Sequence, residues 1–533
     1  MKMNKRLAII LVLLFAVLMS IPWLVPHLGW VALFAFVPLL CLDRLADFAR
    51  PRCFFLWYYA AFLLWNAATT FWVCNATVGG GIAAVVVNAA LMAAIWAIFR
   101  LSKKKFTGMV PYVFLAVLWI AWERAFFNTQ ISWPWLTLGN AFARTTSLVQ
   151  WYELTGVLGG SLWIWGVNLG IFAVMVNLSN GNFARWNIRR KAALPAALSL
   201  LVAVPVIASE IRYATYEEDS CGTVNVVVGQ TNFDPYQKYT SVTQSQQNTA
   251  LLEQFSLGIR ENGGAPALLL APEAFSSDVC INDVTSGPSM QTFLSFLEAH
   301  PQSEMLVGAS TYELFYQHSA PSPLARNFGE GRWFETHNSA VMLSNRQAPQ
   351  IYHKSKLVVG TELMPFPKIV APIDDALGGV LARCVPQKEI SVMHLQDGVP
   401  FGCAICYESV YGDFCTGYVR KGAEFLAVIT NDGWWGDTPG YRQHFSYSRL
   451  RAIELRRDIA RSANTGISAI INQRGDVVEQ TGWWVPDYIA SSVNRSQKVT
   501  PFAKWGDVTG RACSLAALLL LALLLCRFLI RRG

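Results

Sequence analysis

Charge is what this sequence has least of. Only 15% of its 533 residues are Asp, Glu, Lys or Arg, and 53% are hydrophobic, whereas a soluble globular domain carries about 25% charged residues. The deficit is uneven. Residues 1–210 are mostly long apolar runs broken by short basic clusters, 211–505 read as an ordinary α/β domain, and 514–530, "SLAALLLLALLLCRFLI", return to hydrocarbon. Other absences narrow the reading. No small-residue cleavage site follows the first apolar run, which therefore reads as an uncleaved helix and not a signal peptide. Few charged residues fall inside the apolar runs (Glu123 and Arg124 lie at an end), which argues against an ion-coupled transport pathway. No internal repeat is evident.

A span of the roughly 30 Å hydrocarbon core takes about 20 apolar residues. Seven such spans precede the α/β segment, near 7–25, 29–43, 54–74, 80–99, 109–127, 152–177 and 194–209, and an eighth closes the chain near 512–530. Cytoplasmic loops are enriched in Lys and Arg. Basic clusters occur at Lys2, Lys5 and Arg6, at Arg44, Arg50 and Arg52, at Arg100 and Lys103–Lys105, at Arg185 and Arg189–Lys191, and at Arg527, Arg531 and Arg532. The loops after the first and third spans have no Lys or Arg. The alternation predicts both termini in the cytoplasm and a domain that faces outward. The net charge of +8 is then mostly a topology signal, not a nucleic-acid footprint. The expected domains are 1–210, a transmembrane bundle; 211–505, an outward-facing domain; and 506–533, a last transmembrane helix.

Within the outward domain, β-type runs at 223–230, 266–274, 304–311, 338–344, 401–408, 425–432 and 467–475 alternate with helical patterns at 239–261, 288–299 and 442–461. That alternation predicts a layered α/β fold. The last helix carries apolar residues at helical spacing among arginines, as an amphipathic helix does. The proline-rich connection from 362 to 395 is long for a compact domain, and such loops are often lids or binding elements. Eleven cysteines on an oxidising side could form a disulfide framework. Six of them, Cys221, Cys280, Cys384, Cys403, Cys406 and Cys415, fall in the outward domain, and spacing selects no particular bridge.

Three polar residues interrupt or follow apolar runs: Glu273 in "ALLLAPEAF", Lys354 in "IYHKSKLV" and Cys406 in "FGCAICYE". Singly each has an ordinary explanation. A Glu after a strand is usually solvated, adjacent lysines can guard an exposed strand, and cysteine is often simply buried. Cys403 and Cys406 form a C-x-x-C, but no second C-x-x-C or histidine pair completes a tetrahedral metal site. Together the three suit acyl transfer through a thioester. A thiol of pKa near 8.5 needs a base or a positive charge beside it. Glu273 would take the proton, and a lysine would stabilise thiolate and oxyanion. Spacing alone does not choose between Lys354 and Lys356.

These residues resemble the nitrilase superfamily, with Glu, Lys and Cys in this order at strand ends of an α/β domain. With spans before and after it, the chain is similar to the membrane-embedded branch, the apolipoprotein N-acyltransferase family. "PEA" at Glu273 resembles P-E-T/S, "YHKSKLV" resembles Y-x-K-x-x-L-V and so selects Lys354, and "CYE" at 406–408 resembles the nucleophile motif. "TNDGWWG" (430–436), "RSANTGISAIINQRG" (461–475) and "SWPWLTLGNAF" (132–142) resemble further family segments. Where many members have P-F-G-E, this chain has Val359-Gly360-Thr361-Glu362. The resemblance implies an α-β-β-α sandwich beside about eight transmembrane helices, a catalytic Glu273, Lys354 and Cys406, and supporting roles for Glu362, Tyr407 and Glu408. By itself, Tyr407 reads as core packing and Glu408 as a partner for Lys354. The implied partners are a phospholipid acyl donor, a diacylated apolipoprotein acceptor and membrane lipid, in a bacterial inner membrane, for a monomer that uses no metal, cofactor or nucleic acid. The alternatives are a membrane-anchored amidase hydrolysing a small amide, for which seven leading spans are superfluous, and a transporter or receptor whose outward domain only binds.

Overall fold

The computed structural model describes residues 4–49, 54–238, 240–376 and 381–530. Lys2, Arg50, Arg52, Arg531 and Arg532 of the topology argument lie outside the described residues, as do residues 377–380 of the long connection and position 239, where a helix was expected to begin. Two compact units make up the chain, one of residues 1–129, 133–216 and 505–533, the other of 130–132 and 217–504.

The first unit is helical at every expected span. Among the described residues, six helical stretches are long and apolar enough to cross a membrane: Lys5–Leu24, Gly29–Asp47, Val78–Ser102, Tyr152–Ser179, Ile188–Thr215 and Val508–Leu529. Phe55–Thr70 and Val110–Phe126 have 16 and 17 residues, shorter than the expected spans at 54–74 and 109–127. Apolar burial gives little drive between helices in lipid, so packing and interhelical hydrogen bonds hold such a bundle. Phe36 packs among Phe15, Trp119 and Trp165 with ring centroids 5.3, 5.6 and 4.4 Å away. The helix backbone is interrupted at the same residue, and Asn168 repairs it. The Asn168 side chain accepts from Phe36 N at 2.8 Å and donates to Ala32 O at 2.9 Å.

The second unit contains two sheets. The first holds β1 (Thr223–Gln230), β2 (Leu268–Leu270), β3 (Ser276–Cys280), β4 (Glu304–Tyr316), β5 (Arg326–Gly329), β6 (Arg332–Leu343), β7 (Gln350–His353) and β14 (Asp487–Asn494), with main order β14-β1-β2-β4-β6-β5. The second holds β8 (Met393–His394), β9 (Pro400–Ile405), β10 (Leu426–Thr430), β11 (Ile459–Ala463), β12 (Ala469–Ile471) and β13 (Val477–Gln480), in order β13-β12-β11-β10-β9-β8. β1, β2 and β4 pair parallel, as do β9, β10 and β11. Strands covered on both faces read as unbroken apolar runs, and β1 is an example. Val226 and Val228 join a core shared with Ile405, Val428 and Ile470 of the second sheet. Val227, between them, packs with Leu251 and Phe255 of helix Gln244–Glu261 and Phe293 of helix Pro288–Ala299. Helices Gly412–Arg420 and Pro439–Leu455 contribute to the second sheet's packing through Tyr418 and Leu455. The result is the α-β-β-α sandwich that was expected.

Several expected elements end early. The run 266–274 is a strand only over Leu268–Leu270, and 401–408 only to Ile405, so neither Glu273 nor Cys406 lies on a strand. The helix expected over 442–461 stops at Leu455, Arg456 takes a left-handed φ of 49°, and β11 follows. Its arginines do not form a solvated stripe. Arg451, Arg456, Arg457 and Arg461 are all buried, and Arg457 donates to Ala423 O and Lys498 O, both at 2.7 Å. All ten cysteines among the described residues are free.

Candidate active site

The site is built from chain reversals at the ends of strands. After β2 the chain turns at Glu273, and Ala274 adopts φ 49°. The turn packs directly on β4 because Gly308 has no side chain: a Cβ there would lie 2.3 Å from Pro272 O and 2.6 Å from Glu273 Cα. Lys354 follows β7 and is 1% exposed. Its Nζ donates to Glu273 Oε1 at 2.8 Å and to Glu362 Oε1 at 2.9 Å. Asn338 on β6 donates to the same two oxygens at 2.7 and 2.6 Å. Asn431 N completes Glu273 through Oε2 at 3.1 Å, and Val358 N completes Glu362 through Oε2 at 2.8 Å. Burial alone would lower the Lys354 pKa, but Glu273 and Glu362 more than reverse this and hold it well above the usual lysine value. Lys354 is therefore a permanent ammonium between two carboxylates.

Cys406 follows β9 with φ 51° and opens the tight turn Cys406–Val410. Such a conformation costs a non-glycine residue about 1–3 kcal/mol and persists only where the surroundings enforce it. Glu408 supplies that constraint. Its carboxylate accepts from Ile405 N at 2.8 Å, Ser355 N at 2.6 Å and Tyr352 Oη at 2.7 Å. Glu408 thus ties the Cys406 turn to the Lys354 loop, and Lys354, the partner expected for it, acts on it electrostatically. Burial pushes its carboxyl up to about 7, against the pull of these donors. Tyr407 is buried, but its hydroxyl donates to Ser132 O at 3.0 Å, and Tyr411 pairs with Ser132 Oγ at 2.8 Å. The Cys406 thiol is pushed well above its usual pKa by burial and then by Glu273, with Lys354 pulling the other way. At rest it is a thiol that needs a proton acceptor, and Glu273 is close enough to act on it electrostatically. Lys356 is outside this cage. Its ammonium lies over the Tyr411 ring, 5.1 Å from the centroid, and burial lowers its pKa. Cys403, inside β9, is buried as a free thiol.

Several neighbours were not singled out from the sequence. Beneath Cys406, Asp432 accepts from His444 Nδ1 at 2.8 Å, Arg461 Nη2 at 2.7 Å and Thr430 Oγ1 at 2.8 Å. His444 Nε2 faces Cys406 O at 3.1 Å and Ser409 Oγ at 3.2 Å. Burial would raise the Asp432 carboxyl, but Arg461 and His444 overcome it and hold it at about 2. The donor atoms of Cys406, Asp432 and His444 lie within 4.8 Å of one another. Both imidazole nitrogens and both carboxylate oxygens are already engaged, so this is a hydrogen-bonded support and not a vacant set of metal ligands. Lys238 is another missed residue. It donates to Ala274 O, and burial lowers its pKa to about 7 although Glu273 opposes the shift. Asp432 and Arg461 belong to the segments 430–436 and 461–475, whose likeness to family segments selects no single residue. His444 and Lys238 lie outside them and gave no signal.

Residues 237–499 match the carbon-nitrogen hydrolase family, and residues 15–170 match the apolipoprotein N-acyltransferase N-terminal domain. Over 500 residues the chain is 27% identical to the apolipoprotein N-acyltransferase of Chlorobaculum tepidum, covering 92% of this chain and 91% of that one. It is 25% identical over 544 residues to that of Pasteurella multocida, covering 97% and 96%. The chain belongs to the apolipoprotein N-acyltransferase family. Membership places its α/β unit in the nitrilase superfamily and makes it an acyltransferase. A solved member of branch 10 of that superfamily, from Saccharomyces cerevisiae, covers 52% of this chain and 93% of its own at 13% identity with a TM-score of 0.38, an overlap too loose to add to the assignment. Both halves of the family are present here, the N-terminal domain as well as the hydrolase-type unit, which leaves the reading as a membrane-anchored amidase less supported.

Proposed function

We propose that Cys406, Glu273 and Lys354 transfer an acyl chain from a phospholipid to the N-terminal amine of a diacylglyceryl-cysteine apolipoprotein, in two steps. Cys406 Sγ attacks the donor ester carbonyl while its proton passes to Glu273. Lys354, with the backbone N–H that follows the nucleophile, stabilises the tetrahedral oxyanion. The C–O bond then breaks, the lysophospholipid alkoxide takes the proton from Glu273, and a thioester remains on Cys406. In the second step the neutral α-amine of the acceptor attacks the thioester carbonyl, Glu273 takes a proton from its nitrogen, and the C–S bond breaks as Glu273 passes that proton to the departing sulfur, restoring the Cys406 thiol. An α-amine of pKa near 8 must lose a proton to attack or to finish as an amide.

The observation that carries this reading is the Glu273–Lys354–Glu362 cage. It presents an ammonium that stays charged and a carboxylate electrostatically coupled to a thiol that stays protonated. We further propose that residues 1–210 and 506–533 form the membrane part, with 211–505 on the outer face of a bacterial inner membrane. The Lys/Arg alternation and the six helices of spanning length support this. The direct test is N-acylation of a synthetic diacylated lipopeptide by detergent-purified protein supplied with phospholipid. Transfer by the wild type and loss in Cys406→Ser are expected. Hydrolysis of small amides without lipopeptide acylation would favour the amidase reading instead.

A further inference from the structure

A second cluster of titratable side chains occupies the other face of β6. Strands β4 and β6 are antiparallel, with Glu313 directly opposite Glu335 and Thr311 opposite His337. Like charges facing each other across a strand pair repel. Here the repulsion is poorly screened, because Glu335 is only 7% exposed. His337, at 6% exposure, lies two residues further along the same face. The donor atoms of all three residues fall within 4.8 Å of one another. His337 Nδ1 lies 2.9 Å from Val385 O. A carbonyl can only accept, so Nδ1 carries the proton, and a neutral ring then presents a lone pair at Nε2. Both Nε2 and Glu335 Oε1 are buried without a hydrogen-bond partner, whereas buried polar groups are nearly always paired. An imidazole that donates its far N–H to a backbone carbonyl is also the usual arrangement of a metal-ligating histidine.

We propose that Glu313, Glu335 and His337 bind a divalent transition-metal ion of the zinc class, with water completing the coordination. One cation would offset the facing carboxylates and occupy both orphaned atoms. A mixed imidazole and carboxylate donor set favours such an ion over Mg²⁺ or Ca²⁺, which prefer oxygen ligands. Its role is structural. Asn338, the next residue along β6, points to the opposite face and holds Glu273 and Glu362. Thr336 O accepts from Val385 N at 2.8 Å, where the long connection returns to the sheet. The ion would fix both to one point of β6.

The test uses full-length protein in detergent, stripped with EDTA and titrated with zinc while bound metal and melting temperature are read. One zinc per chain and a rise in melting temperature are expected, and both persist in Cys406→Ala, which removes the catalytic thiol as a ligand. Glu335→Gln and His337→Ala should weaken zinc binding by at least the roughly 10–100-fold that loss of an outer-shell partner costs. Glu313 is half-buried, so Glu313→Gln carries the least risk of misfolding and should act in the same direction. Zinc binding unchanged by Glu313→Gln and Glu335→Gln would overturn the proposal. So would a melting temperature indifferent to zinc but raised by mild acidification, which would assign the cluster to a protonated His337 paired with the two carboxylates.

Discussion

Lys354 and Lys356 are two residues apart, yet one is locked between carboxylates and the other lies over an aromatic ring. In the proposed mechanism, removing Lys354 takes away an oxyanion donor, about 2.7–4 kcal/mol of transition-state stabilisation, and it leaves the buried Glu273 and the half-buried Glu362 without the ammonium between them. Lys354→Ala should therefore lower kcat by about 10²–10³-fold and also lower the melting temperature, whereas Lys356→Ala should change kcat only a few-fold. Comparable losses at both positions in a lipopeptide acylation assay would contradict the assignment. Asp432 yields a prediction in pH. Its carboxyl stands at about 2 in the folded protein, below the ordinary value near 3.9 of an unfolded chain. The unfolded state thus binds more protons between these values. The stabilisation is fully present above about pH 4 and is lost as pH falls toward 2, a loss of roughly 2 kcal/mol. Chemical denaturation across that range should show this slope in the wild type and a flatter one in Asp432→Asn.

The residues proposed for the chemistry follow strand ends, and their order was legible because apolar runs give way at Glu273, Lys354 and Cys406. Their local geometry was not. β2 and β9 end several residues before the apolar pattern does, since turn residues packed beneath a second layer are as apolar as strand residues. The helix 439–455 misled for a related reason. Arginine at helical spacing reads as a solvated face, but these guanidinium groups find carbonyl and carboxylate partners inside the unit. Glu408 was visible as a charge beside the nucleophile, but its partners at Ile405 and Ser355 depend on contacts between distant segments. Gly308 makes a test at this scale. Gly308→Ala would push the Glu273 turn off β4, and a displacement of about 1 Å at a reacting group can cost 10²-fold in rate. Its stability loss should stay near the 1–3 kcal/mol of an overpacked core site. Unaltered activity in this variant would show that the Glu273 turn tolerates movement.

For the whole molecule, the presence of an apolar helical unit beside an α/β unit was legible from the uneven scarcity of charge, because lipid and water impose opposite compositions. The number of spans was less so, since helices of 16 and 17 residues lie close to the length limit. The predicted orientation can be mapped on cells: a cysteine introduced at the exposed Glu298 should react with a membrane-impermeant thiol reagent added from the outer side of the inner membrane. Protection there, with labelling only after lysis, would place the unit in the cytoplasm. The central claim concerns the thioester, since direct transfer between lipid and amine would need no nucleophile. The most direct measurement is mass spectrometry of the protein incubated with phospholipid and no acceptor. One acyl mass on the peptide containing Cys406, removable by hydroxylamine, present in Cys403→Ser and absent in Cys406→Ser, is the expected result. Acyl mass on Cys403, or full turnover by Cys406→Ser, would contradict the account.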